Sequence, residues 1–222
     1  PIKLTKIMNA FSDISLLIAD DHVIIRRGLK FLLETHFGKF NIVETDSSKG
    51  ILDSLEKNNF THLILDMQLS DGNLLEIFQE IKQQFPLLPI LIYSMSPEEI
   101  FAKRLNNLGA SGYLNKQSSE EEVVKAMELF FTGRKYVSQK YFDQQHGVQK
   151  GKSENPFSNL SERETEVLLL LLKGKSVKEI ASHFDLKSNT VATFKARIFD
   201  KIGVNNLMDL QNSARAYNIP IV

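Results

Sequence analysis

The chain contains no cysteine, carries no net charge and never places more than six apolar residues in a row, the longest run being Val167–Leu172. Without cysteine there are no disulfides, thiolate zinc sites or cysteine nucleophiles, which agrees with a reducing compartment. A membrane-spanning helix needs about 18 consecutive apolar residues, so none is expected. The five histidines (His22, His36, His62, His146 and His183) show no H-x-x-x-H spacing, which argues against a histidine metal site. Residues 1–10 lack an apolar h-region and an A-x-A cleavage pattern, so no secretory signal is read there. Met8 is a candidate start, and Pro1–Ile7 is set aside as an added leader.

What is present is the composition of a globular protein: 222 residues, 42% hydrophobic and 24% charged, enough for one large domain or two ordinary ones. The zero charge is a sum of opposites. Residues 1–150 hold 17 basic and 19 acidic side chains, whereas residues 151–222 hold 10 and 8. Within 173–201 the count is 7 against 3, a basic segment that is either a solvated surface or a nucleic-acid footprint.

Five short runs, Ser15–Ala19, Phe40–Val43, His62–Leu65, Ile90–Tyr93 and Gly112–Leu114, alternate with segments whose apolar residues recur at helical spacing. The first, third and fourth are almost wholly apolar, as expected of parallel strands covered on both faces. Helices are expected near 22–36, 48–58, 73–84, 97–107 and 119–132, with Ser119-x-x-Glu122 as a capping box for the last. The pattern predicts an α/β doubly wound parallel five-stranded sheet rather than a closed barrel. From about Thr132 to Pro156 the periodicity fades into a glycine-, glutamine- and lysine-rich linker. Four short helices are then expected at Ser161–Lys173, Ser176–Phe184, Ser188–Lys201 and Asn206–Tyr217, two opened by capping boxes and two closed near Gly174 and Gly203.

Ligands of doubly wound sheets bind at the C-terminal strand ends, where the topology switches direction. There the sequence places Asp20 and Asp21 after the first strand, Asp66 after the third, Ser94 at the fourth and Lys116 after the fifth. With strand order 2-1-3-4-5, three carboxylates converge, a costly arrangement unless a cation is bound. An all-oxygen set suits Mg²⁺, and Asp66 is the candidate nucleophile toward a phosphoryl group. Taken singly, each residue has a bland alternative: Asp20 or Asp21 as a helix cap, Ser94 satisfying backbone, Lys116 solvated. The joint occurrence at four strand ends favours a site.

Residues 14–132 resemble the receiver domain of two-component response regulators, on the motifs IADD (18–21), LILDMQLSDGNLLE (63–76), LIYS (91–94) and GYLNK (112–116), with Ser94 and Lys116 lying 28 and 50 residues after Asp66. The resemblance implies a flavodoxin-like receiver in which Asp66 is the phosphoacceptor, Asp21 and the backbone carbonyl of Gln68 bind Mg²⁺ directly, and Asp20 acts partly through water. It makes Ser94 the switch hydroxyl, Tyr113 the switch aromatic and Lys116 a phosphoryl contact. Ser70 departs from the proline usual after the phosphoacceptor strand. The segment 160–204, with LSERE, KEIA, NTV and KIGV in order, resembles the LuxR-type DNA-binding domain. Together the two modules are similar to the NarL/FixJ class.

The expected organisation is a receiver at 12–133, a linker at 134–156 and a small all-α helix-turn-helix domain at 157–222. On the recognition helix, Val191, Phe194, Ile198 and Ile202 should pack inward. Lys187, Lys195 and Arg197 should contact phosphates, and base readout would fall to Asn189 and Thr193, with Thr190 beside them and Ala192 and Ala196 restricted to thymine methyl groups. The last helix, with Leu207, Leu210, Ala214 and Tyr217 on one side, either joins two copies or packs on its own domain. The expected function is a cytoplasmic, non-enzymatic transcriptional regulator, phosphorylated by a sensor histidine kinase with Mg²⁺ and acting on double-stranded DNA as a homodimer. The alternatives are a receiver used only for protein interaction and, with less support because Gln68 stands where an acid/base aspartate belongs, an aspartyl-phosphate phosphatase.

Overall fold

A computed structural model describes residues 11–69, 74–145 and 155–221. Its first part alternates β1 (Ser15–Ala19), α1 (Val23–Phe37), β2 (Asn41–Thr45), α2 (Ser48–Lys57), β3 (His62–Leu65), α3 (Leu74–Gln84), β4 (Ile90–Ser94), α4 (Glu98–Asn107), β5 (Gly112–Asn115) and α5 (Glu120–Phe131). All pairings are parallel, as the periodicity predicts, and the strand order is β2-β1-β3-β4-β5, the one under which the carboxylates were expected to converge. Leu16 lies opposite both Ile42 and His62, and Ile92 lies opposite Tyr113. Apolar side chains cover both sheet faces. Leu16, Ile18, Ile64, Leu91 and Leu114 face α1 and α5, whereas Leu17, Leu63, Leu65, Ile90 and Ile92 face α2, α3 and α4. Each such fully buried leucine or isoleucine contributes about 1.5–3 kcal/mol.

Up to Gln145 the stretch expected to be a linker carries some regular structure. Tyr136 pairs with Gly112 beside β5, its N–H donating to the Ser111 carbonyl at 3.0 Å. A Cβ on Gly112 would sit 2.8 Å from the Tyr136 carbonyl oxygen, so only glycine permits this approach. A short helix, α6 (Gln139–Gln145), follows, with Ser138 Oγ accepting from the Tyr141 N–H. The capping box expected at Ser119 is half formed: Ser119 accepts from the Glu122 N–H, but the Glu122 carboxylate is taken by the Tyr136 hydroxyl at 2.7 Å.

The second part is all helical: a 3-10 turn (Pro156–Asn159), α7 (Glu162–Leu172), α8 (Val177–His183), α9 (Ser188–Ile202) and α10 (Leu207–Ala216). Reciprocal capping boxes start α7 at Ser161 and α8 at Ser176. Asp185, in the left-handed region at φ 52°, ends α8 with Leu186 N–H donating back to the Ala181 carbonyl, which sets the turn into α9. Gly203 closes α9 in the same region at φ 77°. Glu164 binds α7 to α9 by accepting from Lys201 Nζ at 2.6 Å. The helical part leans on α4 through Arg104–Glu166 at 2.7 Å and Lys103–Glu162 at 3.7 Å, and one cluster of buried apolar residues continues from Phe101 and Leu105 into Phe157 and Leu169. Among the described residues no helix is long and apolar enough to cross a membrane.

Candidate functional site

The backbone ladder itself delivers the acidic residues to one place. Asp20 N–H donates to the Thr45 carbonyl, Asp66 N–H to the Ala19 carbonyl and Lys116 N–H to the Ser94 carbonyl, so each functional residue is the first step beyond its strand. Lys116 Nζ sits between two carboxylates, 2.6 Å from Asp20 Oδ2 and 2.7 Å from Asp66 Oδ2. Burial pulls the lysine pKa down, but Asp66 and Asp20 outweigh it and leave it raised, so the ammonium is held charged. Asp20 Oδ1 accepts from the His22 N–H at 2.8 Å, and the Asp20 carbonyl accepts from Arg26 at 2.6 Å.

Asp66 is only 2% exposed, and its Oδ1 has no hydrogen-bond partner among the described residues. A buried carboxylate oxygen without a donor, beside two more carboxylates, is costly unless a cation or an incoming electrophile completes it. Asp20, Asp21, His22 and Asp66 offer ligand atoms that all lie within 4.8 Å of one another. The donor set is dominated by hard oxygens, which fits a small divalent cation such as Mg²⁺.

Ser94 is wholly buried, and its hydroxyl accepts from the Ser96 N–H at 3.2 Å. Tyr113 points inward, its hydroxyl donating to the Ser96 carbonyl at 2.8 Å and lying 3.1 Å from Met67 Sδ. Burial, together with the Glu98 and Asp66 charges, holds that phenol well above its ordinary range. The loop 94–96 is therefore gripped from both sides by two candidate residues. It leads into α4, whose first residue, Glu98, is buried and accepts from Ser138 Oγ at 2.6 Å. Burial pushes the Glu98 carboxyl up to about 7, against the opposing effect of the Ser138 bond. Gln68 is half-buried beside the pocket, and Ser70 lies outside the described residues.

On α9, Val191 and Ile198 are fully buried, with Phe194 and Ile202 packed against the same cluster. Lys187 is the N-cap residue, and Asn189, Thr190, Ala192, Thr193, Ala196 and Arg197 are all exposed. Lys195 is half-buried with its ammonium 5.3 Å from the Phe199 ring centroid. Thr193 donates its hydroxyl to the Asn189 carbonyl at 2.9 Å, which leaves its methyl group and the Asn189 amide as outward features. On α10, Leu210 and Ala214 are buried in their own domain, while Met208 is 71% exposed.

Three features of the pocket escape the sequence pattern. His22 joins the carboxylate cluster, Arg26 clamps the Asp20 carbonyl while pairing with Glu44 at 3.2 Å, and the C-terminal segment closes over the pocket. After α10, Asn218 takes a left-handed turn at φ 54°, Ile219 N–H donates to the Ala214 carbonyl, and Ile219 is buried. The Asn218 carbonyl then accepts a long 3.5 Å bond from the Gln68 side chain, and a cavity of about 570 Å³ remains between segment and pocket. The aspartate pair followed by His22 in sequence was the one available signal.

Residues 16–128 match the response regulator receiver domain family, and residues 158–214 match the bacterial regulatory proteins of the luxR family. The chain is 27% identical to Response regulator UvrY of Escherichia coli over 90% of its length and 93% of the relative. It is also 27% identical to Response regulator GacA of Pseudomonas aeruginosa, over 89% of the chain and 93% of the relative. Among solved structures it is similar to RcsB from Salmonella enterica serovar Typhimurium bound to promoter rprA in the presence of phosphomimetic BeF3-, with TM-score 0.68 and 26% identity, covering 92% of this chain and all of that one. The same protein bound to promoter P1flhDC gives TM-score 0.60 at 26% identity, covering 90% of this chain and 97% of that one.

Proposed function

Since the chain belongs to the response regulator receiver family and ends in a luxR-type DNA-binding domain, we propose that its phosphorylation-controlled regulation of transcription runs through Asp66. The observation that carries this reading is the buried Asp66 carboxylate, with one oxygen on Lys116 and the other without a partner among the described residues. Mg²⁺, held by Asp21, Asp66 and the Gln68 carbonyl with Asp20 behind them, supplies neutralisation of phosphoryl oxygens when bound.

The protein's own groups do the rest. Asp66 is fixed as nucleophile by the β3 ladder, and Lys116 offers its ammonium to a phosphoryl oxygen. The new group brings roughly −1.5 to −2 charges, by analogy with hydroxyl phosphates, close to Lys116 and within the reach of the Ser94 hydroxyl. Turning Ser94 toward it releases the Ser96 N–H, and Tyr113 holds the other side of the same residue. The disturbance passes into α4, which meets the helical domain through Lys103 and Arg104. Two discrete packings of this contact give the switch its readout.

The partners in this reading are a sensor histidine kinase and double-stranded DNA, with a homodimer formed on phosphorylation or on DNA. The setting is the cytoplasm, and the chain is a regulator and not an enzyme. The receiver spans 12–133, the linker 134–156 and the DNA-binding domain 157–222. Lys187, Lys195 and Arg197 contact phosphates, with Asn189, Thr190 and Thr193 toward the bases. The test is Asp66→Asn incubated with acetyl phosphate and Mg²⁺, read on a phosphate-affinity gel. Complete loss of the phosphorylated band with an unchanged circular dichroism spectrum is expected; continued labelling at another residue overturns the assignment.

A further inference from the structure

The loop that carries Ser94 also reaches the segment that leaves the receiver. Ser94 Oγ accepts from the Ser96 N–H at 3.2 Å, and the Ser96 carbonyl accepts from the Tyr113 hydroxyl at 2.8 Å. Two residues on, the Glu98 carboxylate accepts from Ser138 Oγ at 2.6 Å. Ser138 opens α6: its hydroxyl accepts from the Tyr141 N–H at 3.1 Å and its carbonyl from the Phe142 N–H at 3.0 Å. Glu98 is 9% exposed and Ser138 8%, so their bond is shielded from water. A continuous path thus runs from the hydroxyl that is proposed to turn toward the phosphoryl group to the first turn of α6.

Two residues earlier the same segment is held in a different way. Tyr136 is 3% exposed, its N–H donates to the Ser111 carbonyl at 3.0 Å, and its hydroxyl donates to Glu122 at 2.7 Å. These partners lie just before β5 and on α5, away from the loop 94–98. The anchor at Tyr136 is therefore independent of that loop, whereas the one at Ser138 depends on it. Beside the Ser138 bond, Lys140 pairs with Glu99 at 3.5 Å, but the lysine is 65% exposed and the pair is screened by water. The helix that Ser138 caps has only seven residues, too few to persist without its cap and its packing.

We infer that the Glu98–Ser138 bond is a latch: it holds the first turn of α6 against α4 while Asp66 is unmodified, and it opens when Ser94 is drawn to the phosphoryl group. The inference rests on Asp66 being the phosphoacceptor. Movement of residues 94–96 carries Glu98 with it, since only Pro97 stands between. A buried carboxylate that loses its donor is costly, so Glu98 moves out to water rather than shifting within its site. Ser138 then loses the acceptor that aims its oxygen at the Tyr141 N–H, and the short helix unwinds. Tyr136 stays on the edge of the sheet as the hinge. The linker to the DNA-binding domain is thereby held to the receiver at Tyr136 alone, instead of along α6, and two discrete arrangements of one segment report the state of Asp66.

The experiment follows amide hydrogen exchange in the full chain with Mg²⁺, with and without beryllofluoride as the phosphoryl mimic. In wild type the mimic is expected to speed exchange at Tyr141 and Phe142 about 5- to 30-fold, the effect of losing a helix cap. Ser138→Ala and Glu98→Ala should exchange at the faster rate before the mimic is added and respond little to it. Ser138→Thr and Glu98→Gln, which keep the hydroxyl and an acceptor oxygen, should respond as wild type does, and so should Lys140→Ala. If residues 95–100 respond to the mimic in wild type while α6 does not, or if Ser138→Ala still responds in full, the latch is overturned and the Asp66 reading stands. A response that persists in Asp66→Asn, or none at either place in wild type, overturns the phosphoacceptor assignment itself.

Discussion

The acidic pocket and the outer face of α9 are both rich in polar groups, but they are held in opposite ways. In the pocket, Asp20, Asp66 and Lys116 are almost entirely out of water and bonded to one another within 2.6–2.7 Å. On α9, Asn189, Thr190, Thr193 and Arg197 stand in solvent. Chemistry at phosphorus needs groups positioned in advance, because binding supplies no later chance to arrange them. Contacts to a nucleic acid backbone tolerate mobile lysines and arginines, since their affinity comes largely from counterion release.

The difference should appear first in stability. Lys116→Ala leaves two buried carboxylates facing each other and is expected to cost about 3–5 kcal/mol in urea denaturation without metal, whereas Arg197→Ala should stay within about 0.5 kcal/mol. Equal losses in the two variants would erase the contrast. Glu98, buried at the start of α4, adds a pH-dependent test on the receiver side. Its carboxyl is protonated up to about 7 in the folded chain but only to its ordinary 4.5 when unfolded, so the stability it lends is full below 4.5 and disappears as pH rises through 7. Wild type should therefore lose on the order of 2–3 kcal/mol relative to Glu98→Gln between pH 4.5 and 7.5, with no further change above; parallel curves would remove Glu98 from the coupling. The smallest effect belongs to the DNA face. Titrating salt against fragmented genomic DNA, Arg197→Ala should flatten the slope of log K on log salt by about 1 with little change in fold. A slope equal to that of wild type would take Arg197 off the phosphate backbone.

The sheet was legible because buried parallel strands are written as short apolar runs, and β1 and β3 fall on the residues that the runs predict. The pocket was legible for a related reason: Asp20, Asp66 and Lys116 each follow directly from a strand, so strand order alone brings them together. What escaped depends on partners distant in sequence. The Arg26 role requires Glu44 on the neighbouring strand, and the Glu122 half of the expected capping box was lost to Tyr136. The segment QKYFDQQ has no apolar period to announce α6, whose cap Ser138 is steadied by Glu98 forty residues earlier. The C-terminal cover of the pocket joins Gln68 to Asn218 across 150 residues, a contact no local pattern encodes.

The pairing of Tyr136 with Gly112 bears on how copies of this chain can meet. An open sheet has two flanks whose free N–H and carbonyl groups invite strands from other molecules. One flank begins under the protein's own backbone at Tyr136, and the other, β2, shows solvent the polar side chains of Asn41 and Glu44. Strand-to-strand growth is thereby discouraged at both flanks, and reversible assembly is left to helical surfaces, which can be made and unmade without disturbing the sheet that carries the pocket.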